Sequence, residues 1–108
     1  MVMKIKVSSR YQLNTLIQAL KALTVSARAE RGMLDCNLYQ LAGEKTALCY
    51  VEHWQTADDL EHQMRSRRYT QLLALMETAV EKPSMEFHTV SRTQGLDYLQ
   101  AVRNGGKA

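Results

Sequence analysis

A chain of 108 residues, 45% hydrophobic and 23% charged, with one proline, five glycines and a formal net charge of +3, has the length and composition of one globular domain. No apolar run approaches the roughly 20 residues of a membrane span, and residues 1–10 carry basic side chains but no apolar signal-peptide core. A cytoplasmic protein with no membrane association is therefore expected. The local basic cluster of Arg65, Arg67 and Arg68 has no interleaved aromatics; it reads as a solvated helix end and argues against a nucleic-acid partner.

Residues 2–8 read as a first strand, with Met3, Ile5 and Val7 on one face and Lys4 and Lys6 on the other. Ser9 and Gln12 form a capping box that opens a helix whose stripe is Leu13, Leu16, Ile17, Leu20, Leu23 and Ala27. Gly32 is placed to end that helix in the left-handed conformation. Residues 33–41 form a second strand, alternating Leu34, Cys36 and Leu38 against Asp35, Asn37 and Tyr39. A polar turn at 42–45 joins it to a third strand, in which Leu48, Tyr50, Glu52 and Trp54 alternate with Ala47, Cys49, Val51 and His53. Apolar residues on both sides predict burial of both faces. Thr56, with Asp59 three positions on, caps a short helix, and Ser66 caps another whose stripe, Tyr69, Leu72, Leu73, Met76 and Val80, runs to Lys82. Pro83 stops it, and residues 84–90 make a last strand, Met85, Phe87 and Thr89 opposing Glu86, His88 and Val90.

The order β-α-β-β-α-β predicts an α+β, ferredoxin-like domain over residues 1–92: an antiparallel four-stranded sheet with helices on one face. The other face needs cover, and a second copy of the chain is the economical answer, so a homodimer is expected. Residues 93–103, with Leu96, Leu99 and Val102 on one face, predict a short C-terminal helix docked on the domain or on the partner subunit. Residues 104–108 read as a disordered tail. Cys36 and Cys49 read as small buried hydrophobes. Neither they nor His53, His62 and His88 follow a metal-ligand spacing, so no metal is expected.

The segment from Glu30-Arg31-Gly32 through Tyr39, then Val51-Glu52-His53-Trp54, Thr56, Asp58-Asp59 and Leu60-Glu61-His62, resembles the antibiotic biosynthesis monooxygenase family of dimeric α+β-barrel proteins. The resemblance covers residues 2–92. It implies oxidation of a small aromatic phenol, quinol or polyketide-like substrate by molecular oxygen with no cofactor. An electron-rich phenolate can pass an electron to oxygen itself, so the protein has only to deprotonate, orient and shield it. Two departures stand out. Ser66-Arg67-Arg68-Tyr69 replaces the family's Ser-Pro-His-Phe run, putting Arg68 at its histidine. The tryptophan and iron-binding histidine of the haem-degrading branch fall on Gln63 and Leu73, and leucine cannot ligate iron.

The candidate catalytic base is His62, whose unperturbed pKa suits a phenol proton; the competing reading is an exposed helix histidine. Tyr50, Trp54 and Tyr69 are candidate pocket walls, or core. Ser8 sits at the end of the first strand, where the family often has a polar pocket residue. Arg68 could hold an acidic group of the substrate, but reads first as a surface charge. Beside the monooxygenase stands the alternative of a non-catalytic dimeric protein that holds a small aromatic ligand or a partner on the same fold. An RNA-binding module is a distant third, because the aromatic stacking platform is missing.

Overall fold

The computed structural model describes residues 1–106. Its elements are β1 (Val2–Lys6), α1 (Arg10–Ala27), β2 (Met33–Gln40), β3 (Ala47–Trp54), α2 (Ala57–Met64), α3 (Arg67–Met76), β4 (Ser84–Glu86) and α4 (Leu96–Arg103). The strands form one antiparallel sheet in the order β2-β3-β1-β4. This is the expected α+β, ferredoxin-like arrangement, and in the single chain the sheet is open.

The local signals are satisfied as read. Ser9 Oγ accepts the Gln12 N–H at 3.2 Å, while Gln12 Oε1 accepts the Ser8 N–H at 3.1 Å, so two donors at the start of α1 are paired. Thr56 Oγ1 accepts the Asp59 N–H at 3.1 Å and Ser66 Oγ accepts that of Tyr69 at 3.3 Å. Leu13, Leu16, Leu20, Leu23 and Ala27 are buried along α1, which packs on β2 and α3. They meet Met3, Ile5 and Val7 of the first strand segment and Leu48, Tyr50 and Leu72 in one core cluster. Each large side chain so buried contributes roughly 1.5–3 kcal/mol by leaving water.

β3 is buried along its helix-facing side, while its opposite side is buried only over the first half of the strand, with Val51 partly covered and His53 exposed. Leu48, Tyr50 and Glu52 lie under the helices; Ala47 and Cys49, on the opposite face, are also buried. There the register flanks Cys49 with Lys4 and Tyr39, whose long side chains can shade it without a second layer.

Four expectations are corrected. The helix α1 ends at Ala27 and not beside Gly32. Thr24 and Ser26 hydroxyls take the carbonyls of Lys21 and Leu23, and the chain tightens into three-residue turns through Glu30. Gly32 does adopt φ +85°, but in the turn entering β2. Leu34 leaves the core face: Met33 opposes Trp54 and Asp35 opposes His53, so Leu34 is the extra residue of a β-bulge and is 63% exposed. The helix α3 ends at Met76 in successive tight turns, leaving Val80 to pair its N–H with the Lys6 carbonyl at 2.9 Å. β4 stops at Glu86, opposite Val2, because residues farther along run past the start of β1. The expected tail begins at residues 104–106, which follow α4 in a turn, with the Gly106 N–H on the Ala101 carbonyl at 2.7 Å. The remainder of that expected tail, Lys107 and Ala108, lies outside the described residues.

Candidate functional site

The core face of β3 presents Tyr50, Glu52 and Trp54 in alternation, which places a lone carboxylate in the apolar layer. An ionised carboxylate buried there needs donors. The cap at Ser66 starts α3 so that Arg68, Tyr69 and Leu72 turn inward. Two donors thereby arrive from α3, and two come from β3 itself.

Glu52 Oε2 accepts from Arg68 Nη2 at 2.5 Å and from the Tyr50 hydroxyl at 2.6 Å. Its Oε1 accepts from the Tyr69 hydroxyl at 2.5 Å and from Trp54 Nε1 at 3.2 Å. The Tyr50 oxygen in turn accepts from Arg68 Nη1 at 3.1 Å and from the Cys36 thiol at 3.2 Å. The Arg68 guanidinium lies 5.4 Å from the Tyr69 ring centroid and 6.0 Å from that of Trp54, within range of the ring quadrupoles. One group is left over. Arg68 Nε is the buried side-chain donor without a partner among the described residues.

Electrostatics follow from burial. Desolvation, reinforced by the Glu52 charge, pushes the Tyr50 and Tyr69 hydroxyls far above their ordinary pKa. Desolvation likewise raises the Cys36 thiol. It works to lower that of Arg68, but the hydrogen bond and charge of Glu52, with help from Tyr50, outweigh it and hold the guanidinium above its usual value. The cluster therefore keeps one ion pair and two neutral phenols at neutral pH.

Of the sequence-predicted residues, the fold gathers Tyr50, Trp54, Tyr69 and Arg68 into this one cluster and leaves His62 and Ser8 apart. Arg68 is the correction: expected first as a surface charge, its side chain is 6% exposed. His62 is exposed on α2, while Gln63, about 100° farther round the helix, is the residue that turns inward, donating to Glu30 Oε2 at 2.8 Å. The Ser8 hydroxyl is exposed and donates to Gln12 Oε1. Glu52 and Cys36 belong to the site and were not singled out. The signal for Glu52 was its place between Tyr50 and Trp54 on a strand with apolar residues on both faces, where a carboxylate demands a cation. Nothing local marks Cys36 out from Cys49.

The cluster is closed. Two surface grooves, of about 190 and 310 Å³, lie elsewhere: one beside Lys4, Lys6 and Pro83, the other along β2 from Met33 to Asn37. Only Cys36 joins the second groove to the cluster. Trp54 is the half-exposed member and forms its boundary with solvent. Among the described residues, no helix is long and apolar enough to cross a membrane.

The fold is shared with several solved proteins. A candidate antibiotic biosynthesis monooxygenase from Caulobacter crescentus superposes with a TM-score of 0.69 at 21% identity, over 79% of this chain and 81% of that one. Another from Deinococcus radiodurans gives 0.66 at 18% identity, over 88% of this chain and all 100% of its own. A conserved protein from Methanosarcina mazei gives 0.69 at 21% identity, over 77% and 82%. No protein-family model matches the chain, and no curated protein matches it at a significant level. The resemblance to the monooxygenase family read from the sequence is thus matched by structural neighbours bearing that family's name, at the level of the fold.

Proposed function

We propose that the chain works as a cytoplasmic homodimer and a cofactor-independent monooxygenase of a small phenol, quinol or polyketide-like aromatic. The observation that carries this reading is the Trp54–Arg68–Tyr69 corner. A guanidinium is held against two aromatic rings by a buried carboxylate, and its Nε–H is left to receive one more acceptor. A phenolate oxygen is such an acceptor, and the rings suit a flat aromatic body. In this reading Trp54 swings aside to admit the substrate, and Arg68 stabilises the phenolate as the phenol proton leaves to solvent. The phenolate then passes one electron to oxygen, phenoxyl radical and superoxide combine at a ring carbon that bears hydrogen, and the peroxide anion so formed takes a proton from solvent. Loss of water from the resulting hydroperoxide leaves one oxygen atom in the quinone. The names of the structural neighbours support the reaction class.

A second reading has its own support. The Glu52 carboxylate is occupied by four donors, and His62 is exposed apart from the cluster. Neither is a base in contact with a substrate at Arg68. A dimeric protein that holds an aromatic ligand or a partner without oxidising it needs no such base.

Oxygen uptake with a panel of hydroquinones and anthrones separates the two. The enzyme reading expects consumption by the parent, slowed roughly 10- to 100-fold in Arg68→Lys, which keeps the charge and loses the Nε donor. A rise in melting temperature with the same compounds and no oxygen consumption supports the binding reading.

A further inference from the structure

A guanidinium holds its N–H donors in one plane as a rigid fork, and the cluster takes up one edge of the fork on Arg68. Nη1 donates to the Tyr50 oxygen and Nη2 to Glu52 Oε2. Those two acceptors are 2.6 Å apart, joined by the Tyr50 hydroxyl. They therefore sit side by side across the end of the guanidinium, one on each Nη. The remaining edge sets Nε–H beside the outer N–H of the adjacent Nη, two parallel donors of the kind a bidentate acceptor fits. Nε has no partner among the described residues, although the Arg68 side chain is only 6% exposed.

The cluster also has one member that it can release. Of the four hydrogen bonds on Glu52, the one from Trp54 Nε1 is the longest, 3.2 Å against 2.5–2.6 Å for the others. Trp54 is half-exposed and is the last residue of β3. With its ring turned out, Glu52 Oε1 keeps the Tyr69 hydroxyl and Oε2 keeps Arg68 and Tyr50, so the ion pair stays satisfied. A flat body can then take the place of the Trp54 ring, beside the guanidinium and the Tyr69 ring.

Charge decides what that body carries. Glu52 and Arg68 cancel, so the corner offers an anion little net field, and recognition falls to the geometry of the donors. A lone oxygen fills one N–H of the open edge; two oxygens side by side fill both. We propose that the open edge of Arg68 takes an aromatic ligand with two oxygens side by side in the plane of its ring, as a catechol or a benzoate presents them. This rests on the substrate corner of the proposed function and narrows its substrate class, favouring paired oxygens over a single one or a para pair.

The test uses the full chain under nitrogen, so that binding is read without oxidation. Catechol, resorcinol and hydroquinone carry the same atoms with their two oxygens progressively farther apart, and benzoate supplies the pair as a carboxylate. Trp54 is the single tryptophan, so its emission reports on the corner while calorimetry gives the affinities. Catechol or benzoate is expected to bind about tenfold or more tightly than resorcinol and hydroquinone, with a change in Trp54 emission. Preference for catechol alone identifies a diol ligand, and preference for benzoate alone an acid. Equal affinities for all of these compounds would overturn the paired-oxygen edge and leave the phenol and quinol reading standing. Paired-oxygen preference without any response of Trp54 would overturn the placement at Arg68. Failure of every compound to bind the folded protein would overturn the edge and the substrate corner together. Arg68→Lys keeps the charge and loses the fork, and is expected to bring the affinities within about twofold of one another. A retained preference in that variant, once cooperative melting shows it folded, would overturn the assignment to Arg68; if it does not fold, the comparison within the parent decides.

Discussion

Arg68 and Glu52, sixteen positions apart in the chain, are joined at 2.5 Å inside the core, where their side chains are 6% and 0% exposed. Removing one partner leaves the other charge in an apolar layer. Arg68→Met is expected to cost about 3–5 kcal/mol in urea unfolding, and Glu52→Gln, which abandons the guanidinium, a similar amount. The double variant should cost clearly less than the sum, since no naked charge remains. Strict additivity would mean that the two charges do not compensate each other.

Alkaline pH should unfold the protein. Cys36, Tyr50 and Tyr69 all have folded pKa values above their unfolded ones of 9.0, 10.0 and 10.0, chiefly through burial. Each is neutral when protonated, so the folded chain holds protons that the unfolded chain releases. Their stabilisation is complete below about pH 9 and falls as pH rises, first through Cys36 and then through the tyrosines, by roughly 1.4 kcal/mol per pH unit for each titrating group. Urea midpoints from pH 8 to 11 should fall accordingly. Tyr50 and Tyr69 should join the tyrosinate absorbance only as the chain unfolds; their early appearance in folded protein would contradict the buried cluster.

Gly32 and Gly43 separate backbone strain from collision. Both have positive φ, +85° and +81°. A methyl group at Gly43 meets open space, whereas at Gly32 it runs into the Asp59 side chain. Gly43→Ala is expected to cost about 1–2 kcal/mol from the left-handed backbone alone. Gly32→Ala should cost more, roughly 2–4 kcal/mol, because Asp59 must also leave its bond with Thr56. Equal losses in thermal or urea unfolding would show that Asp59 moves aside freely.

Leu20 and Leu34 share a residue type and differ in place. Leu20 is 0% exposed and Leu34 63%. Leu20→Ala is expected to cost about 2–5 kcal/mol, and Leu34→Ala no more than roughly half a kcal/mol in the monomeric domain. If Leu34→Ala weakens self-association while leaving monomer stability unchanged, the bulge is serving the partner.

The sequence is most legible where cause and effect are close together. Ser9, Thr56 and Ser66 each cap a helix within three residues of themselves, and β3 declares its burial by placing apolar side chains on both faces. What stayed hidden depends on partners far along the chain. Leu34 follows the alternation of its own strand, but the bulge is set by register against His53 and Trp54. The composition of residues 87–90 favours extension, but the length of the last strand is decided by where β1 begins. Arg68 sits among other arginines and looked solvated, and only Glu52, on another element, explains why it turns inward. Reading Glu52 as a charge in want of a donor would have recovered the whole cluster.

The Glu52 cluster also sets how the molecule opens. Through three hydrogen bonds, from Arg68 and Tyr69 to Glu52 and from Arg68 to the Tyr50 oxygen, it ties α3 to β3, and through Tyr50 and Cys36 it reaches β2. For α3 to lift away, a carboxylate must be left in the interior or the sheet must let water in around it. Either costs several kcal/mol, so partial detachment of α3 has no cheap route. Amide protons of α3 and β3 are then expected to exchange together, at the free energy of global unfolding, as one cooperative unit. Those of α4, none of whose residues is buried, should exchange freely.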